Sequence, residues 1–198
     1  MKRILSAAVF LPVFYLLVRR PPIYFSLLIA AACLLGLLGV YRLAALRGIR
    51  CNRPAGCALA LAVLLTFYES SWSLPAALVS GVILIPVLSL LGRRPLEECL
   101  ASDSATVFGA LYLSTLLGYL VGLRKLGDEL GGDLIFFLFL VVWAGDAAAY
   151  YVGSATGRHF LSPRVSPKKT VEGALAGILG SLLAALLARA WFFNQLRT

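Results

Sequence analysis

Two groups in this sequence have the composition to handle a phosphate. Asp146 is a carboxylate inside an apolar run, Trp143 to Val152. Ser166-Pro167-Lys168-Lys169-Thr170 is a compact basic string, followed at once by Glu172 and Gly173. A charge at the middle of a membrane helix costs about 2.5–3.5 kcal/mol on insertion scales, so an acid there is a functional candidate. Lysines on the water side next to it suit a phosphate-bearing substrate and a divalent cation. Ser166-Pro167 has the composition of a helix start, a hydroxyl cap with proline in the first turn. That predicts Lys168, Lys169 and Thr170 at a positive helix end, where free backbone N–H groups favour an anion. Glu172 is expected in the same turn, holding Lys169 or contributing to a cation site. The string is not a P-loop, because no glycine-rich turn precedes Lys169-Thr170. On charge alone it reads first as a basic loop that fixes membrane topology, and the ordered string rather than the charge favours a phosphate site.

The elements that must position these residues are membrane helices. Of 198 residues, 61% are hydrophobic and 14% charged, with a mean hydropathy of +0.91, whereas soluble domains average about 25% charged residues. A span needs roughly 20 apolar residues. Seven segments come near that: Ile4–Val18, Ile23–Tyr41, Gly56–Phe67, Leu74–Leu91, Ala105–Leu123, Leu134–Val152 and Val171–Phe193. The first is short, and the third is the weakest, with Glu69 and Trp72 at its end. The fold class expected is all-α, a polytopic bundle of about seven transmembrane helices. No repeat and no Ser/Gly-rich linker divides residues 1–198, so a single membrane domain is expected.

If the N-terminus is cytosolic, twelve Lys and Arg fall in inside segments and five in outside ones. That asymmetry puts the N-terminus and the Gly153–Thr170 loop in the cytosol. The assignment depends on the third span, whose loss would invert everything after it. Asp146, Tyr150, Gly153 and Gly157 share a face of the sixth span. Gly145, Ala149, Gly153 and Gly157 form a ridge of small residues facing a comparable ridge, Gly173, Gly177, Ser181 and Ala185, on the seventh. Such ridges let two helices approach closely in lipid.

Several classes fall away. The net charge of +9 is spread between apolar runs and carries no nucleic-acid motif, so no nucleic-acid partner is expected. Four scattered cysteines and one histidine, His159, leave no zinc-type spacing and argue against a Ser–His hydrolase.

Trp143, Asp146, Ala149-Tyr150, Gly153 and Gly157, followed by Ser166-Pro167-Lys168-Lys169-Thr170-Val171-Glu172-Gly173, closely resemble the bacterial phosphatidate cytidylyltransferase (CDP-diacylglycerol synthase) family. The likeness is close over Ala105–Gly180 and looser elsewhere. It implies transfer of a cytidylyl group from CTP to phosphatidic acid, giving CDP-diacylglycerol and pyrophosphate with Mg²⁺, at the bacterial inner or plasma membrane. It implies Asp146 as a metal or polar-network residue. Lys168 and Lys169 would be phosphate contacts, Ser166 and Thr170 would orient the loop, and Glu172 would pair across it. Arg164 joins the substrate-binding set, and Asp146, Lys169 and Glu172 the catalytic one. A homodimer stays open. Family members continue into a C-terminal signature with Lys-Asp and Asp-Arg-x-x-Asp-like elements, absent up to Thr198. The chain is therefore expected to lack the family's main acidic metal ligands and to be inactive alone. Alternatives are a CTP-using lipid kinase, a related isoprenoid-lipid cytidylyltransferase and a non-catalytic membrane scaffold. A transporter would show inverted hydropathy repeats, which are not visible.

Overall fold

The structure, a computed structural model, describes residues 2–69, 71, 73–92, 95–162 and 166–192. Helices follow the apolar segments: α1 Lys2–Arg19, α2 Pro22–Ala45, α3 Arg53–Tyr68, α4 Leu74–Leu91, α5 Leu96–Arg124, α6 Asp128–Thr156 and α7 Val171–Phe192. Between α6 and α7 run two short strands, β1 Phe160–Ser162 and β2 Ser166–Thr170. Local chemistry sets the helix starts. Asn52 and Ser73 cap α3 and α4, their side-chain oxygens accepting from the N–H of Ala55 and Ala76. Pro22, Pro54 and Pro75 occupy first-turn positions where a missing N–H costs nothing.

Five helices, α2, α4, α5, α6 and α7, are long and apolar enough to cross a membrane. The protein is an all-α polytopic membrane helix bundle with one small hairpin. α3, at 16 residues, rises about 24 Å, short of a hydrocarbon core of about 30 Å. α1 carries Lys2, Arg3 and Arg19 within its length.

The chain packs as two units, Met1–Gly131 and Gly132–Thr198. In the first, α2 buries every fourth residue, Phe25, Ile29, Cys33, Leu37 and Tyr41. α3 buries Gly56, Leu59, Ala60, Val63 and Leu64, the stripe of a helix with one core face. Polar groups join the helices at one end of this unit. The Tyr41 hydroxyl donates to the Thr106 carbonyl at 2.8 Å, Thr106 Oγ1 to the Ser102 carbonyl at 2.7 Å, and the Asn52 N–H to Thr106 Oγ1 at 3.0 Å. At the other end the buried guanidinium of Arg124 donates to the carbonyls of Val18 and Arg20, each at 2.8 Å. Those carbonyls close α1, where no further turn can bond them.

The second unit contains α6 from Gly132, the hairpin and α7. Its helices meet through the two small-residue ridges. A β-carbon at Gly173 would lie 2.8 Å from the Ala149 carbonyl and 3.0 Å from the Gly153 Cα. One at Gly177 would lie 3.1 Å from the Ala149 Cβ. The Ser181 hydroxyl crosses the seam to the Val141 carbonyl at 3.2 Å. Only small residues fit such an approach.

Candidate functional site: a clamped basic hairpin

The basic string does not begin a helix. Ser166 to Thr170 is strand β2, paired antiparallel with β1, and α7 starts at Val171. The cap is Thr170, four residues after the Ser166 expected. Its hydroxyl accepts from the Gly173 N–H at 3.2 Å, which satisfies a donor of the first turn. Thr170 is 8% exposed and sits against α6: a β-carbon at Gly153 would lie 3.1 Å from its Oγ1. The cap thus also fills the upper end of the α6–α7 seam. Pro167 is tolerated because a two-stranded ribbon has only edge strands.

The strand pairing is irregular where the lysines are. Phe160 pairs with Thr170 and Ser162 with Ser166, so Leu161 alone faces the stretch Pro167-Lys168-Lys169. Extra residues on one strand bulge it and re-aim its side chains. Lys168 and Lys169 stand exposed on that bulge, and Ser166 is half-buried beside it.

Glu172 does not hold Lys169. Its carboxylate grips His159: Oε1 lies 2.6 Å from His159 Nδ1, and both oxygens accept from the His159 N–H at 3.3 Å. The His159 carbonyl in turn accepts from the Val171 N–H at 2.9 Å. Residue 159 is thereby locked to the first turn of α7, and the base of the hairpin is fixed at both strands. His159 is the contributor that composition misses. A lone histidine offers no spacing to read, and its partnership with Glu172 is legible only once the chain is known to reverse between them.

The structure brings Ser166, Lys168, Lys169, Thr170 and Glu172 together with His159 and leaves Asp146 apart. Asp146 is exposed and lies seven residues before Gly153, about 10 Å down the α6 axis. Gly153 is where α6 meets Gly173, next to Glu172. Arg164 lies outside the described residues. The fit to Mg²⁺ follows from these positions. Mg²⁺ needs near-octahedral oxygen ligands at about 2.0–2.1 Å, usually one or two carboxylates with substrate phosphate. Glu172 is engaged by His159, Asp146 is about two turns away, and among the described residues no three His, Cys, Asp or Glu converge. These residues do not fit an Mg²⁺ site of their own.

The chain is similar to known proteins over its whole length. The profile of the Cytidylyltransferase family matches residues 1–197. The phosphatidate cytidylyltransferase of Bacillus subtilis (strain 168) is 31% identical over 173 residues, which is 86% of this chain and 62% of that protein. The phosphatidate cytidylyltransferase of Aquifex aeolicus (strain VF5) is 33% identical over 115 residues, 55% of this chain and 41% of its own. That of Brucella suis biovar 1 (strain 1330) is 46% identical over 68 residues, 34% of this chain and 22% of its own. The chain thus spans less than two thirds of the length of the curated relatives it matches. No solved structure matches it. A full-length profile match and relatives of one name agree with the Ser166–Gly173 string: the chain belongs to the cytidylyltransferase family.

Proposed function

We propose that this chain takes part in cytidylyl transfer from CTP to phosphatidic acid at a bacterial cell membrane, with the hairpin as its nucleotide-phosphate contact. A phosphate oxygen of the lipid would attack the α-phosphorus of CTP, forming the new P–O–P bond as pyrophosphate leaves. Such chemistry is mostly positioning and charge neutralisation. The observation that carries this reading is the bulge. It presents Lys168 and Lys169 to solvent from a base clamped by Thr170 and by the His159–Glu172 pair. A pre-fixed cation loses little freedom when it meets a phosphate, and this raises affinity.

In this reading Mg²⁺ enters with the triphosphate, since nothing among the described residues of the hairpin is arranged to hold it. Asp146, about 10 Å down the α6 axis from Gly153, takes no part in the phosphate contact in this reading. Four helices before the hairpin, α2, α4, α5 and α6, are long and apolar enough to cross the membrane, so in this reading the N-terminus and the hairpin share one side, the cytosol, where CTP is. A photoreactive CTP analogue tests the assignment in membranes containing the chain. Peptides carrying Lys168 and Lys169 should be labelled, and excess CTP but not cytidine should compete. Labelling confined to other peptides would remove the hairpin from the nucleotide site.

A further inference from the structure

The hairpin carries two apolar side chains that the nucleotide reading does not use. Phe160 and Leu161 are 60% and 53% exposed, on a strand that begins four residues after α6 ends at Thr156. β2 runs into α7 without a linker. Both α6 and α7 are long and apolar enough to cross a membrane, so the hairpin between them cannot move far from the bilayer surface. Its base is fixed by the grip of Glu172 on His159 and by the Val171 N–H on the His159 carbonyl. Exposed Arg158 lies two residues before Phe160 in the chain, and Tyr150 and Tyr151 stand exposed on the last turns of α6. Tyrosine rings are enriched at the level where headgroups meet acyl chains.

We infer that the hairpin is a membrane-surface anchor whose partner is the anionic headgroup layer of the bilayer around it. Phe160 and Leu161 enter the boundary between headgroups and acyl chains, and Arg158 pairs with lipid phosphate. An apolar pair next to a cation, held at this height, matches an interface that is apolar below and negative above. The lysines of the bulge are then kept at the surface where a lipid phosphate and a soluble nucleotide can meet. This surface does not rest on the nucleotide reading, because a hairpin that binds CTP while standing clear of the lipid would overturn the anchor alone.

A spin label at F160C, and separately at L161C, measures the depth in nanodiscs of phosphatidylcholine with and without phosphatidylglycerol. The parent chain, labelled in the same way, supplies the background of its own cysteines. The label should be relaxed more by oxygen than by a water-soluble nickel chelate, at a depth of about 5 Å or more below the phosphates. It should move outward when phosphatidylglycerol is left out, and R158Q should abolish that lipid dependence. Two results overturn the inference. One is a label at both positions as open to nickel as a water-exposed loop. The other is a depth indifferent to both phosphatidylglycerol and Arg158. Because two label positions and a lipid exchange on unmutated Arg158 are read separately, one poorly folded variant does not decide the outcome.

Discussion

Glu172 is one side chain that serves two elements. It lies in the first turn of α7 and binds both the backbone N–H and the ring of His159 before β1. Replacing it with glutamine removes the charge from both contacts but keeps the shape. The expected result is faster amide exchange at His159 and Val171, with the exchange of α2 to α5 unchanged. Equal protection in E172Q would mean that the strand pairing alone holds the hairpin base. The seam glycines set a second residue-scale constraint. G173V would put its β-carbon 2.8 Å from the Ala149 carbonyl, and overpacking of this kind costs about 1–3 kcal/mol. Thermal unfolding in detergent should register that loss. G39A, where a β-carbon meets nothing within 4 Å, should leave the midpoint unchanged or raise it.

At the scale of elements, the helices are legible because lipid asks one thing of them, a long apolar run bounded by charge, proline or glycine. Leu74–Leu91 is recovered to the residue, and α5 and α6 run past the expected segments at both ends, by Leu96–Ser104 and Arg124 and by Asp128–Asp133 and Gly153–Thr156. The facing ridges Gly145-Ala149-Gly153 and Gly173-Gly177-Ser181 were legible too, because spacing of four on a helix dictates a face. The hairpin was not. A three-residue strand has too few positions for a period of two to register. Ser166-Pro167 imitates a helix start, and Thr170 offers a second hydroxyl four residues later that sequence alone cannot rank above it. Burial ranks them, since Thr170 is buried against Gly153 while Ser166 is only half-buried. Removing the cap hydroxyl in T170V should therefore cost about 1 kcal/mol of stability, whereas S166A should cost almost nothing. Equal losses in thermal unfolding would restore Ser166 as the cap.

For the whole molecule, orientation and metal chemistry are separable questions. S162C lies on β1 and should react with an impermeant maleimide only after the inner face of the membrane is opened. Labelling of intact cells would invert the topology. The divergence of Asp146 from Glu172 leads us to expect CTP binding without Mg²⁺-dependent CDP-diacylglycerol formation by the purified chain. Robust synthesis abolished by D146N would show instead that Asp146 does hold the metal. The central claim concerns Lys169 as a phosphate contact, and a CTP titration of the chain in nanodiscs tests it most directly. A hydrogen bond to a charged group contributes about 1.5–3 kcal/mol, so K169A should weaken CTP by about tenfold to a hundredfold. K125A, whose ammonium meets the Tyr68 carbonyl and ring far along the chain, should leave the affinity unchanged. An affinity for CTP that K169A leaves equal to that of the unmutated chain would contradict the account.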